Sequence, residues 1–114
     1  NDMRYRSRSF SAFRFLKLLM AAIYKFKNGC GCRVIVMSPT HVPYPSVYGD
    51  PWDDWTPFKV TQYINLARIG ASVAGATFVD VYDITKGLTT DSLHPDSVAH
   101  AKMAAKFLKI AYNR

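Results

Sequence analysis

Asp91 and His94 stand three residues apart in the sequence Asp91-Ser92-Leu93-His94-Pro95, and their side chains suit proton transfer. An imidazole titrates near neutral pH, and it accepts a proton well when a carboxylate holds its other ring nitrogen. Pro95 suits the first position of a helix, because proline lacks an N–H that the helix start would leave unpaired. The pattern therefore predicts a histidine base oriented by Asp91, or simply an Asp and a His at the surface beside a helix start.

Helical periodicity predicts three helices, over residues 9–27, 56–75 and 97–112. The first two precede this segment in the sequence, and the third follows it. Asn28-Gly29 is expected to end the first helix, and Thr56 and Pro57 to begin the second, which ends at Gly75. The first has a narrow polar stripe of Arg14, Lys17, Ala21 and Lys25. The buried side of the second is expected to hold Val60, Ile64, Ala67, Val73 and Ala74. In the third, the predicted inner stripe is Val98, Ala101, Ala105, Leu108 and Tyr112, with Lys102, Lys106 and Lys109 outside.

Two short apolar runs, residues 32–37 and 78–83, are typical of buried strands. Helices separate them, which favours a parallel sheet with crossover connections. We expect a loop over residues 84–90, with Gly87 as its flexible point, to lead from the second strand to Asp91. The order of elements predicts an α/β fold in which residues 1–114 form the C-terminal portion of one doubly wound domain.

A long loop over residues 38–57 follows the carboxyl end of the first strand, the sheet edge where α/β folds bind ligands. We interpret it as a wall of the site, with His41, Tyr44, Trp52 and Trp55 as candidate substrate-binding residues. The alternatives are that the aromatic rings simply cover the sheet edge and that His41 packs on one of them. His100 is expected to be an ordinary helix residue. Asp50, Asp53 and Asp54 form an acidic cluster in this loop.

Charge and composition narrow the function classes. The net charge is +7, concentrated in the N-terminal third, which suits an acidic partner chain, an anionic surface or nucleic acid. Nucleic acid is disfavoured, because the aromatic residues fall among aliphatic ones at helical spacing instead of alternating with basic ones on a strand. No run is long and apolar enough to predict a membrane span. The compartment stays open, with secretion favoured.

The sequence requires neither a metal nor another cofactor. A zinc site made of His41, His94 and an Asp is an alternative, but nothing in the spacing demands it. Cys30 and Cys32 are separated by one glycine, so a bridge between them would close a strained ring. They are expected to act as small hydrophobes entering a strand, or to pair with cysteines elsewhere.

The chain resembles the SGNH hydrolases, also called GDSL-type esterases and lipases, over nearly its whole length. Their last motif, Asp-x-x-His followed by Pro and a helix, matches Asp91-Ser92-Leu93-His94-Pro95. The resemblance implies a flavodoxin-like α/β/α fold with three layers and a Ser-His-Asp triad, in which His94 is the general base and Asp91 sets its tautomer. The family's Gly-x-Asn-Asp motif is matched by Asn1-Asp2, which implies that Asn1 is the oxyanion-hole residue and that the chain starts inside that motif.

The departure from the family is the missing nucleophile. Ser38, Ser46 and Ser72 do not stand in a Gly-Asp-Ser context, and Gly49-Asp50 is followed by proline. The expectation is therefore a serine ester hydrolase active only with a complementing chain, namely the N-terminal chain of the same precursor, processed by proteolysis. The substrate would be an O-acyl or O-acetyl ester of a carbohydrate or lipid. The alternative is a non-catalytic SGNH-like module within a larger assembly.

Overall fold

The computed structural model describes residues 12–41, 57–90 and 94–112. Along these residues lie helix α1 (Ala12–Cys30), strand β1 (Ile35–Met37), helix α2 (Pro57–Ala74), strand β2 (Thr77–Val79), a short 3-10 helix (Asp83–Thr85) and helix α3 (Ser97–Tyr112). The two strands pair in parallel, with Val36 opposite Phe78. The prediction of an α/β fold with a parallel sheet is confirmed at this level.

The helices lie on the two faces of the sheet. α2 packs on both strands, and α1 packs on α2. α3 contacts β2 and the 3-10 helix without contacting α1 or α2, so it lies on the opposite face. Phe78 points toward α2, where it packs on Val60 and Ile64. Because side chains alternate along a strand, Thr77 and Val79 point toward α3.

α1 ends at Cys30, later than predicted. Gly29 is helical, whereas Gly31 takes a left-handed backbone with φ of 63° and donates its N–H to the carbonyl of Lys27 at 2.9 Å. The expectation that Asn28-Gly29 ends the helix is therefore wrong. Gly31 is the cap because a residue without a Cβ takes this backbone at no steric cost.

Cys30 and Cys32 form a disulfide, with their Cα atoms 5.2 Å apart. The left-handed turn at Gly31 brings both sulfurs to the same side of the chain, within 3.1 and 3.5 Å of the Phe26 carbonyl oxygen. Both cysteines are exposed, and β1 starts only at Ile35. The expectation that they are small hydrophobes entering a strand, or pair elsewhere, is wrong.

α2 ends before Gly75, which has a φ of 77°, as the sequence predicts. Between residues 60 and 74 its buried apolar side chains follow helical spacing and are Val60, Ile64, Ala67, Ala71 and Ala74. Val73, expected among them, is 63% exposed, because it falls outside this spacing.

Gly70 faces α1, where a Cβ would lie 3.0 Å from Leu16 and 3.2 Å from Leu19. The missing side chain lets the two helices approach closely.

β2 stops at Val79, so the strand predicted over residues 78–83 is shorter than expected. The carboxylate of Asp80 accepts a hydrogen bond from the N–H of Tyr82 at 3.0 Å, and the 3-10 helix begins at Asp83. An Asp that bonds to its own backbone in this way offers the chain an alternative to the strand ladder. Gly87, expected to be the flexible point of the following loop, has a left-handed backbone with φ of 75°.

The predicted orientation of α3 is wrong. Every residue of the expected inner stripe is exposed, including Val98, Leu108 and Tyr112. The inner face holds Ala99, which is fully buried, together with the partly buried Met103, Lys106, Phe107 and Ile110. Lys106 turns inward because its ammonium donates to the carbonyl of Asp80. Two apolar stripes run along this helix, and only packing against β2 decides between them.

Candidate functional site

A polar network links the carboxyl ends of the two strands. Ser38, which follows β1, is buried, and its hydroxyl lies 3.2 Å from a carboxylate oxygen of Asp80, which follows β2. The same hydroxyl accepts a hydrogen bond from the N–H of Val81 at 2.8 Å. These bonds tie the strand ends together. Ser38 is thus occupied in the framework of the edge, which agrees with the absence of a nucleophile motif around it.

Asp80 is the centre of this network. Its second carboxylate oxygen lies 3.1 Å from the guanidinium of Arg68 on α2, and Arg68 also bonds to Asn65 at 2.8 Å. The Arg68 guanidinium lies 5.2 Å from the centre of the Phe78 ring. With Lys106 of α3 on its carbonyl, Asp80 joins both helical layers to the sheet edge. Sequence reasoning missed this network, although a Ser and an Asp after two parallel strands are the signal that marks such an edge.

His41 lies three residues beyond Ser38, against the 3-10 helix. Its backbone N–H donates to the Thr85 hydroxyl at 3.0 Å, and its ring lies 4.9 Å from the ring of Tyr82. Thr85 is buried and donates in turn to the carbonyl of Val81 at 2.7 Å. The imidazole Nδ1 is buried and has no hydrogen-bond partner among the described residues. A buried ring nitrogen without a hydrogen-bond partner is unusual, because buried polar atoms are nearly always paired.

Burial is the main cause that lowers the pKa of His41 below its ordinary value of 6.5. The ammonium of Lys86 lowers this pKa further, and the carboxylate of Asp83 raises it. Burial and the Asp83 carboxylate both raise the pKa of Tyr82 above its ordinary value of 10.0. At neutral pH His41 is therefore a neutral ring that packs on a neutral phenol.

The segment around His94 is held by backbone hydrogen bonds on both sides. The N–H of Thr90 donates to the His94 carbonyl at 3.0 Å, and that of Asp96 donates to Leu88 at 2.9 Å. Pro95 lies opposite Thr89 in an antiparallel bridge. The bonds of this bridge come from the neighbouring residues, so the missing N–H of proline leaves nothing unpaired. The His94 side chain is exposed at this fixed position.

Asp96, and not Pro95, prepares the start of α3. The Asp96 carboxylate accepts a hydrogen bond from the N–H of Ala99 at 2.8 Å, which is the N-cap arrangement. The expectation that Pro95 occupies the first helical position is therefore wrong, because α3 begins at Ser97. His100 is an exposed helical residue, and its N–H bonds to the Asp96 carbonyl at 3.0 Å.

Of the predicted site residues, His41 and His94 are described, on the loops that follow β1 and β2 respectively. Asp91, Asn1, Tyr44, Trp52 and Trp55 lie outside the described residues, as does the Asp50, Asp53 and Asp54 cluster. Within the described ranges, no three His, Cys or Asp side chains are grouped so that they could hold a metal ion.

Three helices are described, and none is long and apolar enough to cross a membrane.

The sequence matches no protein-family model and no curated protein. In fold, 96% of the chain is similar to the crystal structure of a candidate acylhydrolase from Bacteroides fragilis, with a TM-score of 0.69 and 16% sequence identity. The chain covers 56% of that protein, so it spans little more than half of its length. The shared feature at this level of identity is the fold. This chain is therefore similar in fold to about half of a candidate acylhydrolase.

Proposed function

We propose that this chain is a subunit of a serine ester hydrolase of the SGNH type, as the C-terminal half of a flavodoxin-like α/β/α domain. One observation carries the proposal. The Asp-x-x-His-Pro motif lies between the second parallel strand and the last helix, in a chain that shares its fold with a candidate acylhydrolase. Open α/β sheets bind their ligands beyond the carboxyl ends of the strands, which is where these residues follow in the chain.

The proposed chemistry assigns one step to each residue. His94 takes the proton of a serine hydroxyl that a second chain supplies, and the serine oxygen attacks the ester carbonyl. Asp91 holds the other ring nitrogen of His94, and the Asn1 side chain donates to the oxyanion. His94 then gives its proton to the leaving alcohol, and water releases the acyl group by the reverse sequence. No metal or other cofactor takes part in this route.

The aromatic residues that follow β1 in the sequence support the proposed substrate class. An O-acyl or O-acetyl ester of a carbohydrate or lipid offers a ring or an acyl chain to Tyr44, Trp52 and Trp55 and a hydroxyl to His41. The buried Nδ1 of His41, which no described residue bonds, supports a role as acceptor for such a hydroxyl.

A second chain is part of the proposal because this chain leaves apolar surface uncovered. Phe13 is 77% exposed and Phe26 62% exposed on α1, although both are aromatic. In the part of the chain that the structure describes, β1 pairs on one edge alone. Two short parallel strands do not make a stable sheet alone. The partner we propose is the N-terminal chain of the same precursor, carrying the Gly-Asp-Ser nucleophile.

The handedness of crossovers says where a strand of that partner would pair. β1 connects to β2 through α2, and α1 packs beside α2. Because such crossovers are right-handed, a strand that leads into α1 would lie beside β1, on the edge away from β2. One neighbouring chain would thus pair with the open edge of β1 and also cover the exposed side of α1.

Hydrolysis of p-nitrophenyl acetate by the purified chain, compared with the native complex, tests the need for a second chain. The chain alone is expected to give only background turnover, since a base without a nucleophile has no covalent route. Turnover at rates typical of an enzyme would show that the complementing chain is not required.

Substitution of His94 tests the assignment of the base. In the native complex, His94→Ala is expected to lower kcat by about a thousandfold or more, with His100→Ala as the matched control on the exposed side of α3. A loss of less than about tenfold in His94→Ala would rule out the triad.

The alternative is a non-catalytic SGNH-like module of a larger assembly, and the lack of any Gly-Asp-Ser sequence in this chain favours it. A fluorophosphonate probe separates the two functions, because it labels an activated serine. Label on a chain of the native complex supports the hydrolase, whereas a complex without label supports the binding module.

A further inference from the structure

The outer face of α3 carries a continuous apolar stripe, here called the outer stripe. It consists of Val98, Ala101, Ala105, Leu108 and Tyr112. All five residues are exposed, with Val98 at 51%, Leu108 at 50% and Tyr112 at 82%. Their spacing alternates between three and four residues, which is the seam that one helix presents to another in a coiled coil.

α3 is fixed so that the outer stripe cannot turn inward. On its sheet-facing side Ala99 is fully buried, and Lys106 reaches the carbonyl of Asp80. At its C-terminal end, the Arg33 guanidinium donates to the carbonyls of Ala111 at 2.7 Å and Ile110 at 3.3 Å. The outer stripe therefore points away from the sheet. A segment that extends the sheet or lies beside α3 in the same layer does not cover it.

Charge indicates what would cover the outer stripe. Lys102 and Lys109 are exposed and stand seven residues apart on one flank of the stripe. Residues 97–112 contain no Asp or Glu. In a coiled coil, the positions that flank the seam pair with opposite charges on the partner helix. A second copy of α3 offers Lys102 and Lys109 no acidic counterpart, whereas an acidic helix does.

The size of the side chains favours a helix over a lipid surface. Ala101 and Ala105 occupy the middle of the outer stripe, and larger residues stand at its ends. Small residues in this position let another backbone approach closely. They add little to insertion into a bilayer, for which interfacial helices use Trp, Phe and Leu.

We propose that the outer stripe is a docking site for an acidic amphipathic helix of another protein, which packs Leu-type residues on Ala101 and Ala105 and carboxylates beside Lys102 and Lys109. The contact adds a layer outside the α/β/α layers of the domain. It does not depend on ester hydrolysis, so it stands or falls independently of the proposed function.

The test uses the full chain and two synthetic helical peptides with leucine at the seam positions. One peptide carries Glu at the flanking positions and the other carries Lys. Fluorescence anisotropy of the labelled peptides is expected to show binding of the Glu peptide about tenfold or more tighter than that of the Lys peptide. Ala105→Lys should weaken binding of the Glu peptide about tenfold. His100→Lys is the matched control, because it places the same side chain at an exposed position that neither belongs to the stripe nor flanks it.

Three results would overturn the proposal. The first is equal affinity for the two peptides, or equal effects of Ala105→Lys and His100→Lys. The second is a dimer of the free chain in analytical ultracentrifugation that Ala105→Lys dissociates, which would assign the stripe to a second copy. The third is binding to phosphatidylserine-containing vesicles that Ala105→Lys abolishes, without binding of either peptide. Circular dichroism melting of both variants shows that they remain folded.

Discussion

Asp80 and Thr85 hold the sheet edge together through single side chains. The Asp80 carboxylate contacts Ser38 and Arg68, its backbone carbonyl accepts from Lys106, and the Thr85 hydroxyl connects the 3-10 helix to the backbone of His41. Asp80 and Thr85 are only two residues, but each bonds to polar groups that would otherwise be buried without a hydrogen-bond partner. At the scale of residues, the edge beyond the strands is therefore more sensitive to the loss of hydrogen bonds than to the loss of apolar area.

Thr85→Val is expected to destabilise the chain. The Thr85 hydroxyl accepts from His41 and donates to Val81, so valine leaves a backbone N–H and a carbonyl without this partner. The expected loss is about 1–3 kcal/mol in the free energy of unfolding, measured by urea denaturation. Thr85→Ser keeps the hydroxyl and should recover most of the loss. An equal loss in both variants would mean that the methyl group, and not the hydroxyl, stabilises this edge.

The lowered pKa of His41 predicts a stability that falls as the pH falls. Burial disfavours the charged ring, so the unfolded chain takes up the proton first when the pH falls below about 6.5. The contribution of His41 to the free energy of unfolding is complete above the pKa that His41 has in the unfolded chain. It is lost as the pH falls through the lower pKa that His41 has in the folded chain. Urea denaturation across this pH range should show that the free energy of unfolding falls more steeply with falling pH in the natural chain than in His41→Phe. Identical slopes would show that His41 does not titrate differently in the folded state.

At the scale of elements, two glycines near the end of α1 have opposite roles. Gly29 is helical, and outside the neighbouring turns of its own helix no atom lies within 4 Å of the position that a Cβ would take there, whereas Gly31 has a φ of 63°. Both glycines precede a cysteine, so the sequence around them is alike. The backbone differs: Gly29 continues the helix, and Gly31 ends it. This difference decides where α1 stops and where the turn toward β1 starts.

Alanine at these two positions should change stability in opposite directions. Gly29→Ala is expected to stabilise the chain by about 0.5–1 kcal/mol, because alanine has the higher helix propensity. Gly31→Ala should cost about 1–2 kcal/mol, because a Cβ is unfavourable in the left-handed region. Thermal unfolding followed by circular dichroism measures both variants. A stabilising Gly31→Ala would contradict the observed helix end.

At the scale of the whole molecule, the chain contains two kinds of apolar surface. One is a small core in which Ile23, Val60, Ala71, Val79 and Ala99 are almost fully buried. The other is exposed on α1 and α3, where large apolar side chains such as Phe13 and Tyr112 face solvent. Exposed apolar surface of this kind is typical of surfaces that contact another polypeptide chain.

Substitutions of exposed and of buried apolar residues on α1 should have different effects on the free energy of unfolding. Phe13→Ser with Phe26→Ser should change the free energy of unfolding by less than about 0.5 kcal/mol for each site, because both rings are exposed. The same pair should lower the binding of a hydrophobic dye such as anilinonaphthalene sulfonate. Ile23→Ala, as the buried control on the same helix, should cost about 2–5 kcal/mol. A large loss of stability in the Phe pair would show that these rings are packed within the chain.

The sequence by itself determined the three α-helices and the two strands, their order and the parallel pairing of the strands, but not the 3-10 helix at Asp83–Thr85. These follow from hydrophobic periodicity, and from left-handed glycines such as Gly75, which are local properties of the chain. The Asp-x-x-His motif was also readable, although Asp91 and its contact with His94 stay a prediction.

Only the tertiary structure decided which face of α3 is buried, where β2 stops and how Asp80 joins the layers. α3 carries apolar residues on two sides, so periodicity alone favours neither. Contact with β2 and the hydrogen bonds of Lys106 and Arg33 select Ala99 and Ile110 for the inner face. β2 stops because Asp80 bonds to Tyr82, and the network exists because residues distant in sequence meet at one sheet edge. Such choices depend on neighbours in space, which the order of residues does not state.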